Sequence, residues 1–262
     1  MMTFQEMMLL EPHGRDTFVV SGPSYPWGGL YGGQIVAQGL RAAMQTVEPG
    51  FVLHSLHAYF LRLGDASEPI RLEVDRSRNG RSFLTRRVVC RQAVGAILNM
   101  AASFQVPEEG PEIQTRTMPD VLPPERLVSD SWSSFVKRAV VDTERLPGTA
   151  WMKIDEALGD DPALHACGLA YLSDDLPTDA VVARHPDRAP PGSDERRLWN
   201  ASLDHAIWFH RPVRADDFLL FSFDCHGFIS SRGLSIGTVF DRTGQHVATV
   251  SQEVLTRVRR RD

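Results

Sequence analysis

The sequence is poor in cysteine: its 262 residues hold three, Cys90, Cys167 and Cys225, far apart and with no CxxC pair. That excludes a disulfide framework and a zinc site built on paired thiols, and it fits a reducing cytoplasm, where the protein is expected to reside. No apolar run approaches the ~20 residues of a membrane span. The amino terminus, MMTFQEMMLLEPHGRD, has neither the basic start nor the long apolar core of a signal peptide. The carboxyl terminus, RVRRRD, is not a peroxisomal address. Basic excess is missing too, since the net charge is −5, which argues against a nucleic-acid partner. There is no GxSxG elbow, no HExxH and no P-loop. Neither a metal, a cofactor nor a membrane partner is therefore expected. What remains is the composition of an ordinary globular protein, 42% hydrophobic and 23% charged, long enough for one large domain or two of ordinary size.

The chain is organised around Trp27–Val47, WGGLYGGQIVAQGLRAAMQTV. Four glycines, Gly28, Gly29, Gly32 and Gly33, open it, and a Pro-free run with helical spacing follows. Val36, Leu40, Ala43, Met44 and Val47 recur at i, i+4, i+7, i+8 and i+11. The polar residues Gln34, Gln38, Arg41 and Gln45 make one narrow stripe. Such a helix is either buried, with small residues that let a sheet approach, or an ordinary amphipathic helix behind a flexible loop.

Residues 1–26 read as a short strand or helix and a loop. After the glycine turn and first helix, Val52–Leu63 reads as a strand, and Ile70–Asp75 alternates apolar and polar residues. Asn79-Gly80 is a hairpin signal. Ser82–Gln92 and Ile97–Val106 complete a meander. Pro107–Pro124 is proline-rich and acidic and reads as a linker, because proline lacks the donor that a helix interior or central strand needs. It divides an amino-terminal repeat, 1–106, from a carboxy-terminal repeat, 125–262. In the second half Ala150–Asp155 reads as a strand. Asp161-Pro162 supplies a capping carboxylate and a first-turn proline to a second nearly all-apolar helix. Ala183–Arg197 reads as a surface loop. Strands are expected at Leu198–His210, Phe218–Cys225, Leu234–Asp241 and His246–Val258. Both halves thus run helix, then meander, and the strands beginning at Ser55 and Ser202 both end in aromatic-Phe-x-Arg. Duplication is the better reading of that order. A sheet wrapped around one long helix, present twice, is an α+β double hot-dog fold.

Three polar residues stand out in the second half. Asp174 follows the second helix, where the negative end of the dipole would make its carboxylate harder to ionise; alternatively, Asp174 and Asp175 merely begin an exposed loop. Strict alternation groups Ser202 with Asn200, Asp204, Ala206 and Trp208, on a face that equally well meets water. Gln252 alternates with Ala248, Val250 and Val254, so its amide needs partners, either at a site or on core backbone. Asp204 and His205, as neighbours on a strand, point to opposite faces and do not form an acid–base pair. His54, His57, His205 and His210 read as structural, and Cys167, among apolar helix residues, as inert.

The segments Leu30–Leu40 (LYGGQIVAQGL), His54–Asp65 (HSLHAYFLRLGD), Met100–Gln105 (MAASFQ), Tyr171–Pro177 (YLSDDLP), Ser202–Pro212 (SLDHAIWFHRP) and Ser251–Glu253 (SQE) together resemble the acyl-CoA thioesterase II family of double hot-dog enzymes, over Trp27 to Arg257. The resemblance implies a hydrolase that converts fatty acyl-CoA to free acid and CoA. In that family an Asp, a Ser or Thr, and a Gln hold and activate a water, and by motif they carry over to Asp174, Ser202 and Gln252. The segment before the second helix is shorter here than in longer family members, which bears on the shape of the acyl pocket. A carboxylate of raised pKa suits a general base, and helix N-terminal N–H groups suit a developing oxyanion. Gly32 and Gly33 are the candidates for the latter. A homo-oligomer associating through sheet edges is expected. Two rival readings are a hot-dog enoyl-CoA hydratase or dehydratase, which would need a facing His and acid, and a non-catalytic acyl-binding double hot-dog protein.

Overall fold

The structure, a computed structural model, describes residues 2–141, 145–190 and 198–259. Residues 191–197 of the expected surface loop, and 260–262 of the second repeat, lie outside the described residues. The first half runs α1 (Phe4–Met7), β1 (Glu11–Pro12), β2 (Thr17–Val20), α2 (Gly32–Met44), β3 (Val52–Phe60), β4 (Ile70–Asn79), β5 (Phe83–Gln92) and β6 (Gly95–Gln105). The second runs β7 (Val136–Val140), β8 (Gly148–Ile154), α3 (Pro162–Leu172), α4 (Pro177–Arg184), β9 (Leu198–Ser202), β10 (Asp204–Phe209), β11 (Leu219–Ile229), β12 (Arg232–Phe240) and β13 (His246–Val258). Between them, 106–123 carries neither helix nor strand, and Pro124–Arg126 makes one 3-10 turn.

All the described strands join one antiparallel sheet in the order β1-β2-β4-β5-β6-β3-β10-β13-β12-β11-β8-β7, with β9 also on β13. The two meanders meet at β3 and β10. There Leu56 pairs with Ile207 and Ala58 with His205, so a pseudo-two-fold axis passes between the strands. The sheet curls around α2 and α3, which pack on each other and on its inner face. This is the double hot-dog architecture.

Local chemistry explains the two central helices. Asp161 caps α3, its carboxylate accepting from the Ala163 N–H at 2.9 Å, and Pro162 fills the first turn. In α2, Gly39 sits where a Cβ would come within 2.7 Å of Met100 Sδ on β6, which is the close approach its small residues allow. The polar stripe of α2 faces water only toward its carboxyl end, at Arg41 and Gln45. Gln34 and Gln38 are fully buried, and Gln38 Nε2 donates to the carbonyls of Met7 and Ser21, because the amino-terminal segment folds over it. At the other end of α2 the buried Arg86 donates to the Thr46 carbonyl and hydroxyl, satisfying the helix terminus.

Two departures from the expected elements matter for function. Leu198–His210 is not one strand: it breaks at Leu203, so Ser202 ends β9 and Asp204 begins β10. The Leu203 N–H goes to the Glu253 carbonyl while its own carbonyl takes the Phe60 N–H, which stitches the halves together at the break. And Asp174-Asp175 does not lead into a loop but into α4, whose last two residues, Ala183 and Arg184, belonged to the expected surface loop.

Mild proteolysis is expected to cut first within 107–123, where no ladder holds the backbone. The two products should still co-elute on gel filtration, since separating them would expose the β3 and β10 edges. Recovery of two folded, separate monomers would contradict the shared sheet.

Candidate active site

The N-terminus of α2 lacks a cap of its own. Tyr31 occupies the capping position and makes no side-chain bond to the first turn. The bond comes instead from 141 residues away: the Gly33 N–H donates to Asp174 Oδ2 at 2.8 Å. Asp174 follows the carboxyl end of α3, as its position in sequence implies, yet its carboxylate sits against the positive end of α2. The expected cause of its raised pKa, the dipole of its own helix, is therefore replaced by another. Burial pushes the Asp174 carboxyl up to about 7, against the Gly33 N–H, Gln252 and Ser202, which pull it down. Asp174 Oδ1 has no bond of regular geometry among the described residues. It keeps lone pairs for a further donor.

The break at Leu203 brings Ser202 and Gln252 together. Gln252 Nε2 donates to Ser202 Oγ at 2.8 Å, and Gln252 is fully buried. The carboxamide oxygen meets His205 Nδ1 at 2.5 Å, and His205 Nε2 lies 2.9 Å from Ser173 Oγ. Asp174, Ser202 and Gln252 thus form one cluster, drawn from the end of α3, the end of β9 and the middle of β13. His205 is a fourth member that reasoning from sequence set aside as structural. Alternation along β10 was the available signal, since it turns His205 inward with Ile207 while Asp204 turns out to accept the Glu253 N–H.

Asp174, Ser202 and Gly32 line a groove of about 1170 Å³. Leu30, Ile35, Phe60 and Leu63 give it apolar walls, and Trp27, Trp199, Arg62 and Arg259 also line it. The two candidate glycines differ. The Gly33 N–H is already given to Asp174, so it is not open to an oxyanion; the Gly32 N–H, in the first turn, has no partner among the described residues. Among the described residues no activated nucleophile lines the groove. Burial pushes the Cys167 thiol up to about 12 and the Cys90 thiol higher still, and neither lines the groove. Ser202 accepts a hydrogen bond from Gln252, and among the described residues no histidine or lysine is hydrogen-bonded to it to activate its hydroxyl for attack. No group of three or more His, Cys, Asp and Glu side chains fit to hold a metal occurs among the described residues. Among the described residues, no helix is long and apolar enough to cross a membrane.

The family profile of the Acyl-CoA thioesterase N-terminal domain matches residues 21–105, and that of the Acyl-CoA thioesterase C-terminal domain matches 107–256. Acyl-CoA thioesterase 2 of Haemophilus influenzae is 34% identical over 95% of this chain and 96% of its own. The crystal structure of acyl-CoA thioesterase II TesB2 from Mycobacterium marinum superposes with a TM-score of 0.84 at 37% identity, covering 98% of this chain and 97% of that one. A protein of unknown function with hot-dog fold from Alicyclobacillus acidocaldarius superposes at 0.79 with 20% identity, covering 98% of each chain, which is a likeness of fold alone.

Proposed function

We propose, from the premise that the chain belongs to the acyl-CoA thioesterase II family, that it hydrolyses fatty acyl-CoA to free acid and CoA with a water activated by Asp174, Ser202 and Gln252. The observation that carries this reading is a buried carboxyl with a pKa near 7 at a helix N-terminus, opening onto an apolar groove. Such a group is a base matched to neutral pH. The Asp174 carboxylate takes a proton from water as the water oxygen attacks the thioester carbon. Ser202 and Gln252 hold that water and present donors to the carboxylate. The carbonyl oxygen gains charge, and the Gly32 N–H donates a hydrogen bond to it. The tetrahedral intermediate collapses, the C–S bond breaks with its electrons on sulfur, and the proton held by Asp174 goes to the leaving thiolate. Apolar residues of the groove receive the acyl chain, consistent with a role in fatty acid metabolism.

The hydratase alternative needs a histidine and an acid facing the acyl chain. His205 does not line the groove, and both its ring nitrogens are engaged. Self-association through sheet edges belongs to the same reading. Of the two ends of the sheet order, β1 is two residues long and ends in Pro12, which has no donor, and β7 is the longer, with Ser129 bridging to Ala139 on its outer side.

The deciding assay incubates the full chain with saturated acyl-CoA substrates of graded length and a thiol reagent. Free CoA should appear without oxidant or unsaturated substrate; no release at any length would sink the reading. Ser202→Ala and Gln252→Ala should each lower kcat. Added to Asp174→Asn they should change little further, because residues serving one water act as a unit. Multiplicative losses in the triple variant would mean that the three do not share it.

A further inference from the structure

Which end of the Gln252 carboxamide faces Ser202 and Asp174 decides whether that side of the groove offers donors or an acceptor, and the carboxamide cannot choose by itself. Its far end abuts His205, which is fully buried and touches Ser173 with its other nitrogen. Ser173 Oγ lies 2.9 Å from His205 Nε2 and 3.0 Å from the Ala170 carbonyl, and has one proton to give. Two arrangements of protons are open to a neutral ring, of which the first satisfies both contacts of Ser173 and the second gives up its bond to the Ala170 carbonyl. In one, Ser173 donates to Ala170, His205 donates from Nε2 to Ser173, and the bare Nδ1 requires the Gln252 amide nitrogen. The carboxamide oxygen then faces Ser202 and consumes its proton, leaving Asp174 beside an acceptor. In the other, Ser173 donates to Nε2, Nδ1–H donates to Gln252 Oε1, and the amide nitrogen donates to Ser202 Oγ. The Ser202 proton and the second amide proton then remain for the carboxylate or for water.

The charge on Asp174 selects the second arrangement, since a buried carboxylate is stabilised by donors and opposed by a carbonyl dipole pointing at it. We propose that His205, held by Ser173 as the neutral Nδ1–H tautomer, is a positioning residue that fixes the Gln252 carboxamide with its nitrogen toward Ser202 and Asp174. The inference deepens the reading of Asp174, Ser202 and Gln252 as one water-activating unit and rests on it. It gives a chemical role to two residues that the mechanism otherwise leaves unused, and it explains why a fully buried imidazole sits where an aliphatic side chain would pack as well. Burial holds this imidazole neutral, its pKa pushed down to about 4, so a single proton remains to be placed. The ring touches neither the groove nor the reacting atoms; it acts through Gln252 alone.

The test reads the proton itself. In the resting full chain labelled with ¹⁵N-histidine, couplings from the ring carbon-bound protons should show His205, at a pH well above 7 where Asp174 is charged, with a protonated Nδ1 and a bare Nε2. The signals are assigned by their loss in His205→Asn. A protonated Nε2, or a doubly protonated ring, would overturn the proposal. Kinetics supply a second readout. His205→Leu, which keeps bulk but offers no donor, should lower kcat by ~10- to 100-fold with little change in KM, a size common for residues that orient a reacting group. His205→Asn places an amide nitrogen where Nδ1 was and should recover part of that loss. Unchanged kcat in His205→Leu, or equal losses in both variants, would also overturn it. The tautomer is read without turnover, so it stays informative if CoA release fails, and CoA release tests the underlying reading whatever the tautomer.

Discussion

Asp174→Asn should lower kcat by ~10²–10⁴-fold, the usual effect of losing a general base, while the protein becomes more stable above neutral pH. The asparagine keeps the size of the side chain, and its oxygen can still accept the Gly33 N–H. It cannot take a proton. The stability effect follows from burial. A carboxyl near 3.8 in the unfolded chain and about 7 in the folded one binds its proton more tightly when folded. Stability is therefore lost as pH rises from about 4 to 7 and stays low above that, by up to ~4 kcal/mol at 1.4 kcal/mol per unit of pKa. Interaction with the N-terminus of α2 is already contained in that figure. Asparagine removes the penalty, so its melting temperature should exceed the wild type at pH 8, and the gap should close as pH falls toward 4. The wild-type kcat/KM should rise with pH through about 7, as the base loses its proton. Near-wild-type turnover in the variant would remove Asp174 from the chemistry; a gap in melting temperature independent of pH would mean that the carboxyl is not the buried titrating group.

Gly33→Ala is expected to damage both activity and stability. A Cβ at this position would run into the backbone carbonyl of Tyr171 and come within 2.6 Å of the Tyr31 ring. That carbonyl is itself fixed, accepting from Tyr31 Oη at 2.9 Å. The clash can be relieved only by pushing the start of α2 away from the end of α3, which carries the Gly33 N–H off Asp174. Overpacking of this kind destabilises by ~1–3 kcal/mol, and a displacement near 1 Å at a reacting centre costs on the order of 10²-fold in rate. Gly244→Ala is the control. It sits in a turn at φ +85 with nothing nearer than Met118 Cβ at 3.9 Å. Left-handed backbone makes alanine unfavourable there by ~1–2 kcal/mol, and kcat should not change. Equal kcat for both variants would detach the glycine turn from the site.

Where a signal is local, the sequence carries it. Alternation from Ile70 marks β4, the apolar period from His246 to Val258 bounds β13, and Asp161-Pro162 places the start of α3. The break at Leu203 is not legible, because alternation continues through it; what interrupts the strand is a pair of backbone bonds to Glu253 and Phe60 from other strands. Helix α4 did leave a trace, since Pro177 opens it, Asp179 lies in its first turn and Arg184 in its last, but eight residues between two loops make a weak pattern. The members of the cluster could be named from motifs. Their electrostatics could not, because the dipole that Asp174 meets belongs to a helix far away in the chain. His205 escaped for the opposite reason: a lone strand histidine has the same local pattern whether it packs or orients a neighbour.

The meeting of β3 and β10 also fixes a stoichiometry. Because Leu56 faces Ile207 while His205 faces Ala58, the pseudo-two-fold axis carries His205 onto Leu56. In β6, Ala102 lies opposite Leu56, at the position that corresponds to Gln252. Both are buried and apolar, and neither can orient a water. On the other helix the exchange is equally complete, for Asp161 and Pro162 have closed the N-terminus of α3 from within its own sequence. On the proposed reading the chain carries one water-activating set, and the positions related to it by the pseudo-two-fold are core. One tight-binding inhibitor per polypeptide should therefore titrate all activity, with the apolar half serving as the wall against which the polar half works.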